Sequence, residues 1–220
     1  MTSSPRPSSP APAPAKPAGP GRPKDLGKRN AILEAAKRLF LIESYDGVSM
    51  DQIATEAGVS KLTVYSHFGD KESLFGAAVT AYCEQHLPPA LFEPAPATPL
   101  RERLIEIAAG FYEMISTPEA IQIHRLLCSP QVVESPLSNM FWEAGPQRLH
   151  DEFAELLRRR AQAGEVEVED PQRAASQFFS LAKGEPHAML MFGCGNVSEA
   201  ELKLHFEATA TMFLRAYAVR

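Results

Sequence analysis

From Asn30 onward the apolar residues Ile32, Leu33, Ala36, Leu39 and Phe40 recur at intervals of three and four, which predicts an amphipathic helix ending near Tyr45, Asp46 and Gly47. Ser49, followed by Gln52 three residues later, has the form of a capping box and opens a short helix through Ile53 and Ala54 that stops at Gly58. Ser60 caps the next helix, KLTVYSHF, separated from its predecessor only by Gly58 and Val59. Two short helices hinged by a glycine-containing turn form a helix-turn-helix. Gly69 closes the second of them. Asp70 then caps a longer helix with the apolar stripe Leu74, Phe75, Ala78, Val79 and Tyr82.

The proline-rich run LPPALFEPAPATP interrupts this pattern and marks the expected domain boundary. Beyond it, Pro99 suits the first position of a helix reaching Ser116, and Thr117 with Pro118 opens another that runs to about Cys128. Further helices are expected over Leu137 to Ala144 and, after Gly145 and Pro146, over Gln147 to Ala163, with Gly164 as a C-terminal stop. Asp170 and Pro171 begin a long apolar helix, in which Gly184, Glu185 and Pro186 supply the residues for a break. Ser198 and Glu201 form a second capping box before the last helix. No alternation of period two appears, so the chain reads as all-α. Residues 1–24 form a tail, residues 25–86 a helix-turn-helix domain and residues 87–220 a second helical domain.

Composition narrows the picture. The chain is 45% hydrophobic and 22% charged, with no run near the roughly 18 apolar residues that a membrane span needs, so a cytoplasmic protein with no membrane partner is expected. The tail, MTSSPRPSSPAPAPAKPAGP, buries too little apolar surface to offset its ordering entropy and reads as disordered. The net charge of −5 hides a segregation. Met1 to Ile42 carries eight basic against two acidic residues, whereas the chain from Leu87 onward carries twelve basic against eighteen acidic. A basic pole on an acidic body suits phosphate contacts at one end only.

The chemistry concentrates in VSMDQIATEAGVSKLTVYSHFGDKESLF, residues 48–75. A short helix exposing Ser60, Lys61, Thr63, Tyr65 and His67, backed by Val64 and Phe68, can enter a major groove. Together with the preceding ILEAAKRLF helix, this stretch resembles the DNA-binding domain of tetracycline-repressor (TetR) family regulators over Asn30 to Tyr82. The resemblance implies phosphate contacts from Ser49, Ser60, Tyr65, His67 and Lys71, and base contacts from Lys61, Leu62 and Thr63. Leu62 stands where relatives usually carry a small residue, and Ser66 replaces a frequent His, Tyr or Arg, so the operator sequence is left open. The Gly21-Arg22-Pro23-Lys24 arm resembles the basic segment before the first helix of relatives. It reads either as a minor-groove arm contributing Arg22 and Lys24 or as a solvated linker.

Residues from Ile123 to Leu181 resemble the AefR-like subgroup of the same family, which implies a small-molecule effector pocket and a homodimer on a double-stranded DNA operator. Phe111, Tyr112, Met114, Leu127, Phe141, Trp142, Phe178 and Met189 are the candidate lining, because aromatic rings and Met suit an adaptable apolar cavity. At helical spacing the same residues also read as plain core. Leu202, Phe206, Thr209, Phe213 and Ala216 form one stripe of the last helix, suited either to a dimer seam or to internal core, with the seam preferred. No HExxH, GxSxG, phosphate loop or paired metal spacing occurs, so neither catalysis, cofactor nor metal is expected. The alternative function is thiol-based redox sensing, for which Cys128 near Arg125 is the first choice.

The tail gives a direct test. Deleting residues through Pro20 is expected to leave the fold intact. Replacing Arg22 and Lys24 with Ala is expected to weaken DNA binding and flatten its dependence on salt, since fewer counterions are released. Titrations across a salt series measure this, and an unchanged slope would make the arm a spectator.

Overall fold

The computed structural model describes residues 25–93, 98–130 and 136–219, so the tail and its Arg22 and Lys24 lie outside the described residues. Among the described residues the regular elements are helices: α1 (Leu26–Gly47), α2 (Met50–Glu56), α3 (Lys61–Phe68), α4 (Lys71–His86), α5 (Leu100–Ser116), α6 (Pro118–Leu127), α7 (Pro136–Trp142), α8 (Arg148–Gln162), α9 (Pro171–Phe192) and α10 (Glu199–Tyr217). The caps read from the sequence are made as hydrogen bonds. Ser49 accepts from the Gln52 amide while Gln52 reaches back, and Ser60, Asp70, Thr117, Asp170 and Ser198 each accept from an amide in the following first turn.

Three expectations need correction. Helix α1 begins at Leu26, not Asn30, because Asp25 caps it by accepting from the Gly27 and Lys28 amides, and its first turn is solvated and carries no apolar signal. Pro99 caps α5 from outside and does not occupy its first turn. Gly145 and Pro146 do not separate two helices. A π turn, Glu143–Gln147, carries the chain from α7 into α8 with Pro146 inside it. The wider winding of such a turn accommodates a residue that cannot donate to the ladder. The Thr80 hydroxyl on α4 donates to the Ala144 carbonyl at 3.0 Å, giving the turn a partner from outside the helix.

The expected break in α9 is present as a kink. Gly184 adopts φ 45° and ψ −160°. Pro186 has no N–H to offer the carbonyl four residues back, that of Ala182, and His205 on α10 donates its Nε2 proton there instead, at 3.1 Å.

Two apolar clusters organise the molecule. Ile32, Ala36, Phe40, Ile53, Val64, Leu74 and Phe75 form one, from α1 to α4. Leu104, Ile107, Phe153, Leu157, Phe178 and Phe213 centre the other, where Phe153 stacks on Phe178 at 4.5 Å and Phe213 meets Phe178 edge-on at 5.3 Å. At its margin the buried Arg160 guanidinium pairs with Glu165 at 2.8 Å and donates to the Thr98 carbonyl. The C-terminal stripe, Ala216 apart, is turned toward this second cluster. Phe206, Thr209 and Phe213 are buried and Leu202 packs against them, so the preferred seam assignment is corrected to core. The apolar residues Leu204, Ala208, Met212 and Ala216 are among those that α10 leaves exposed, one helical face away.

Gly184→Ala is expected to destabilise the fold by about 1–3 kcal/mol from backbone strain, and by more if the neighbour cannot yield. An added Cβ would lie 2.8 Å from Cε1 of His205. Urea unfolding checks this, and an unchanged midpoint would show that the kink tolerates a side chain.

Candidate functional site

Helix α3 stands at the surface on its Ser60, Lys61, Leu62 and Tyr65 side, and Val64 and Phe68 anchor it to the first cluster. Leu62 is 78% exposed, so its side chain takes no part in the core that anchors the helix. Ser60 serves the cap, accepting from the Thr63 amide and bonding the Thr63 hydroxyl at 2.8 Å. Lys61 pairs with Asp51 across the turn at 2.8 Å, and this hydrogen bond raises its pKa and keeps the ammonium charged. Ser49 is exposed on the preceding cap. Lys71 lies 4.2 Å above the Tyr45 ring, held by a cation–π contact, while burial and a bond to Glu72 push the Tyr45 hydroxyl up. His67 is partly buried, and its Nδ1 has no partner among the described residues.

A second site lies between the clusters. A cavity of about 280 Å³ is walled by Lys37, Phe40 and Leu41 of α1, by Phe75, Val79, Tyr82 and Cys83 of α4, and by Phe111, Met114, His124, Phe141, Trp142, Pro146, Leu149, His150, Phe179 and Lys183 from α5 through α9. Of the eight residues chosen from the sequence, Phe111, Met114, Phe141 and Trp142 meet there. Tyr112 and Phe178 do not. Each is turned into the second cluster, Tyr112 against Phe206 and Phe178 against Phe153 and Phe213. Leu127 and Met189 are half-buried away from the cavity. The choice missed the α1 and α4 wall, because the stripe of α4 reads as ordinary core until its far end is seen to face a void.

The polar side chains of the cavity are mostly basic or neutral, and no carboxylate lines it among the described residues. Burial, with help from the Lys183 charge, pushes His124 down to about 4, and His187 behind it is lowered to about 4 by burial, Lys183 and His124. Both imidazoles are therefore neutral near pH 7. His150 stacks on Phe179 at 5.3 Å and is also lowered by burial. Cys83 is pushed up to about 11 by burial, which disfavours the thiolate. Cys128 and Cys194 are exposed, but Arg125, the cation assigned to Cys128 from the sequence, donates to the carbonyls of Leu190 and Met191 at the end of α9.

The cavity is mechanically joined to the helix that follows α3. Gly145 of the π turn lets α4 come so close that an added Cβ would lie 3.1 Å from Cγ1 of Val79. Arg148 pairs with Glu84 on α4 and with Glu152 on its own helix, and the Tyr82 hydroxyl donates to the Met114 carbonyl at 3.0 Å.

Comparison with known proteins agrees with this architecture. Residues 32–78 match the model for bacterial regulatory proteins of the tetR family, and residues 102–219 match that for the C-terminal domain of AefR-like transcriptional repressors. The transcriptional regulator YdeS of Bacillus subtilis is 38% identical over 68 residues, which cover 31% of this chain and 34% of YdeS, so the match spans about a third of that relative. A TetR-family regulator from Mesorhizobium loti superposes with a TM-score of 0.70 at 32% identity, over 87% of this chain and 97% of the other. FrrA, named a flavonoid-responsive regulator, superposes with a TM-score of 0.68 at 29% identity, over 88% and 98% of the two chains. The chain, with its capped helix-turn-helix and its helical C-terminal body, belongs to the TetR family of bacterial transcriptional regulators.

Proposed function

We propose that the protein binds a twofold DNA operator as a homodimer through α3, and that a small, largely apolar molecule filling the cavity releases it, so that it acts as a repressor. The observation carrying this reading is that one cavity has walls from both bodies: α1 and α4, which hold α3, and the C-terminal helices. A molecule that enlarges the void pushes on α4 directly, and α4 is continuous through Asp70 with the end of α3. In a dimer, small rotations of α4 change the spacing between two recognition helices that must meet grooves about one helical turn apart, roughly 34–36 Å. The ligand then favours the conformation that fits DNA less well, and linkage requires DNA to weaken ligand binding by the same factor. The AefR-like repressor match and the flavonoid response of FrrA support the ligand-linked reading.

On α3, Lys61, Leu62 and Thr63 read bases, and Ser49, Ser60, Tyr65, His67 and Lys71 hold phosphates. A base edge competes for Lys61 with Asp51 and a phosphate for Lys71 with the Tyr45 ring, so both lysines exchange one partner for another on binding. The dimer face is the exposed Leu204, Ala208 and Met212 row of α10, with Phe192 at the end of α9.

Two measurements test this reading. Selection on random DNA is expected to return an altered motif for Leu62→Ala, whereas Tyr65→Phe keeps the motif and binds every sequence more weakly. The same motif from wild type and Leu62→Ala would remove Leu62 from base reading. For the coupling, Gly145→Val is expected to lower ligand-free operator affinity by about 5- to 150-fold, the range of typical coupling energies. Circular dichroism confirms that the variant is folded, and undiminished affinity in a folded variant would refute transmission through the contact of α4 with the π turn.

A further inference from the structure

The cavity wall at His124, and His187 behind it, hold buried polar atoms without a partner among the described residues. His124 lines the void, its ring edge-on to Phe141 at 6.0 Å and to His187 at 5.4 Å. His187 is 2% exposed. One of its nitrogens bonds to the Ile115 carbonyl, while its Nε2 and the Nδ1 of His124 are buried with no partner among the described residues. Because a carbonyl only accepts, the bonded nitrogen of His187 carries the proton and Nε2 presents a bare lone pair. A buried polar atom left unpaired costs free energy, and two in contacting rings call for a partner that the described residues do not supply.

Charge around these rings has one sign. Lys183 lines the cavity one turn before His187 on α9, and its charge acts on both imidazoles. Lys37 lies in the α1 wall, paired with Glu34 and bonded to Gln85 outside the lining. Tyr82 and Cys83 of α4 and His150 of α8 complete the ionisable lining, so no described lining residue is a carboxylate. The rest of the wall is aromatic and flat, including Phe111, Phe179 and Trp142. At about 280 Å³ the void lies at the small end of ligand sites, which run from roughly 300 to 1,000 Å³.

We infer that the effector is a planar aromatic molecule of two or three rings carrying one acidic oxygen, a carboxylate or a phenolic hydroxyl, which docks against Lys183 and His124. This rests on the cavity being the effector site. A carboxylate accepts from the Lys183 ammonium and from an imidazole N–H. A phenolic hydroxyl bonds the Nδ1 of His124, donating or accepting as the ring's tautomer requires, and accepts from Lys183. Either one gives the Nδ1 of His124 a partner, which a hydrocarbon of the same outline does not.

Trp142, the sole tryptophan of the chain, lies in the cavity wall and reports binding by its fluorescence. The probes are 2-naphthoate, 2-naphthol and 2-methylnaphthalene, which share one ring system and differ in one substituent. At neutral pH the full-length protein is expected to bind 2-naphthoate or 2-naphthol at least tenfold more tightly than 2-methylnaphthalene, and the tighter of the two identifies the acidic group. Lys183→Met, and separately His124→Leu, are expected to erase that preference while 2-methylnaphthalene binds as before. Using the exposed Lys183 keeps the test valid should the variant at the half-buried His124 fail to fold. Equal affinity for all three probes, or a preference that survives in folded Lys183→Met and His124→Leu, overturns the acidic-group inference and leaves the cavity reading standing. No quenching by any probe overturns both.

Discussion

Helix α4 satisfies two cores at once. Its first half, with Leu74, Phe75 and Ala78, completes the cluster that carries α3, and its second half, with Tyr82 and Cys83, packs against the C-terminal helices. One helix cannot optimise both contacts independently, since a rotation that improves packing at one end displaces side chains at the other. The contact that fixes the compromise is Val79 against Gly145, where the missing side chain lets two helices approach, with the Thr80 bond to Ala144 and the Arg148 pair to Glu84 on either side of it. The cavity is what remains where the two cores fail to meet. It is apolar because its walls are the margins of those cores.

Within that void the electrostatics follow from burial. The histidines are driven neutral, the thiol of Cys83 is driven protonated, and the charged side chains among the described lining residues are Lys37 and Lys183. A neutral imidazole offers directional hydrogen bonds without the desolvation cost of a charge, so these rings add selectivity to a wall that otherwise recognises only shape. The acidic surplus of the C-terminal body stays outside the cavity and opposes nonspecific attraction to DNA away from α3.

The sequence was most legible where local rules act alone. Capping serines and aspartates, glycine stops and the 3.6-residue stripe located most of the helices, because each is decided within a turn or two of chain. The start of α1 escaped, since a solvated first turn has no periodicity to detect. Pro146 misled because a proline that breaks an α-helix is tolerated in a π turn, and that choice depends on α4, sixty residues away in the chain. The cavity was half legible. Phe141 and Trp142 point into it, but Phe178 and Phe179 are neighbours of the same chemistry, and only the packing of α9 decides that Phe179 faces the void and Phe178 the core. The C-terminal stripe failed for a similar reason: an apolar row on a last helix fits a monomer core and a dimer seam equally, and α5 with α9 claims it first.

The π turn also fixes a phase relation. It winds one residue more into Glu143–Gln147 than an α-helix would, and each residue of an α-helix turns the chain by about 100°. The wider turn absorbs that residue, so removing it would restore ordinary helix with α7 and α8 in the same phase, and Phe141 and Trp142 would keep facing the cavity. What would change is the Ala144 carbonyl, which the tighter ladder would draw away from the Thr80 hydroxyl. The turn is thus the place where a chain of this architecture can gain or lose a residue without re-aiming its cavity wall, at the expense of one tie to α4.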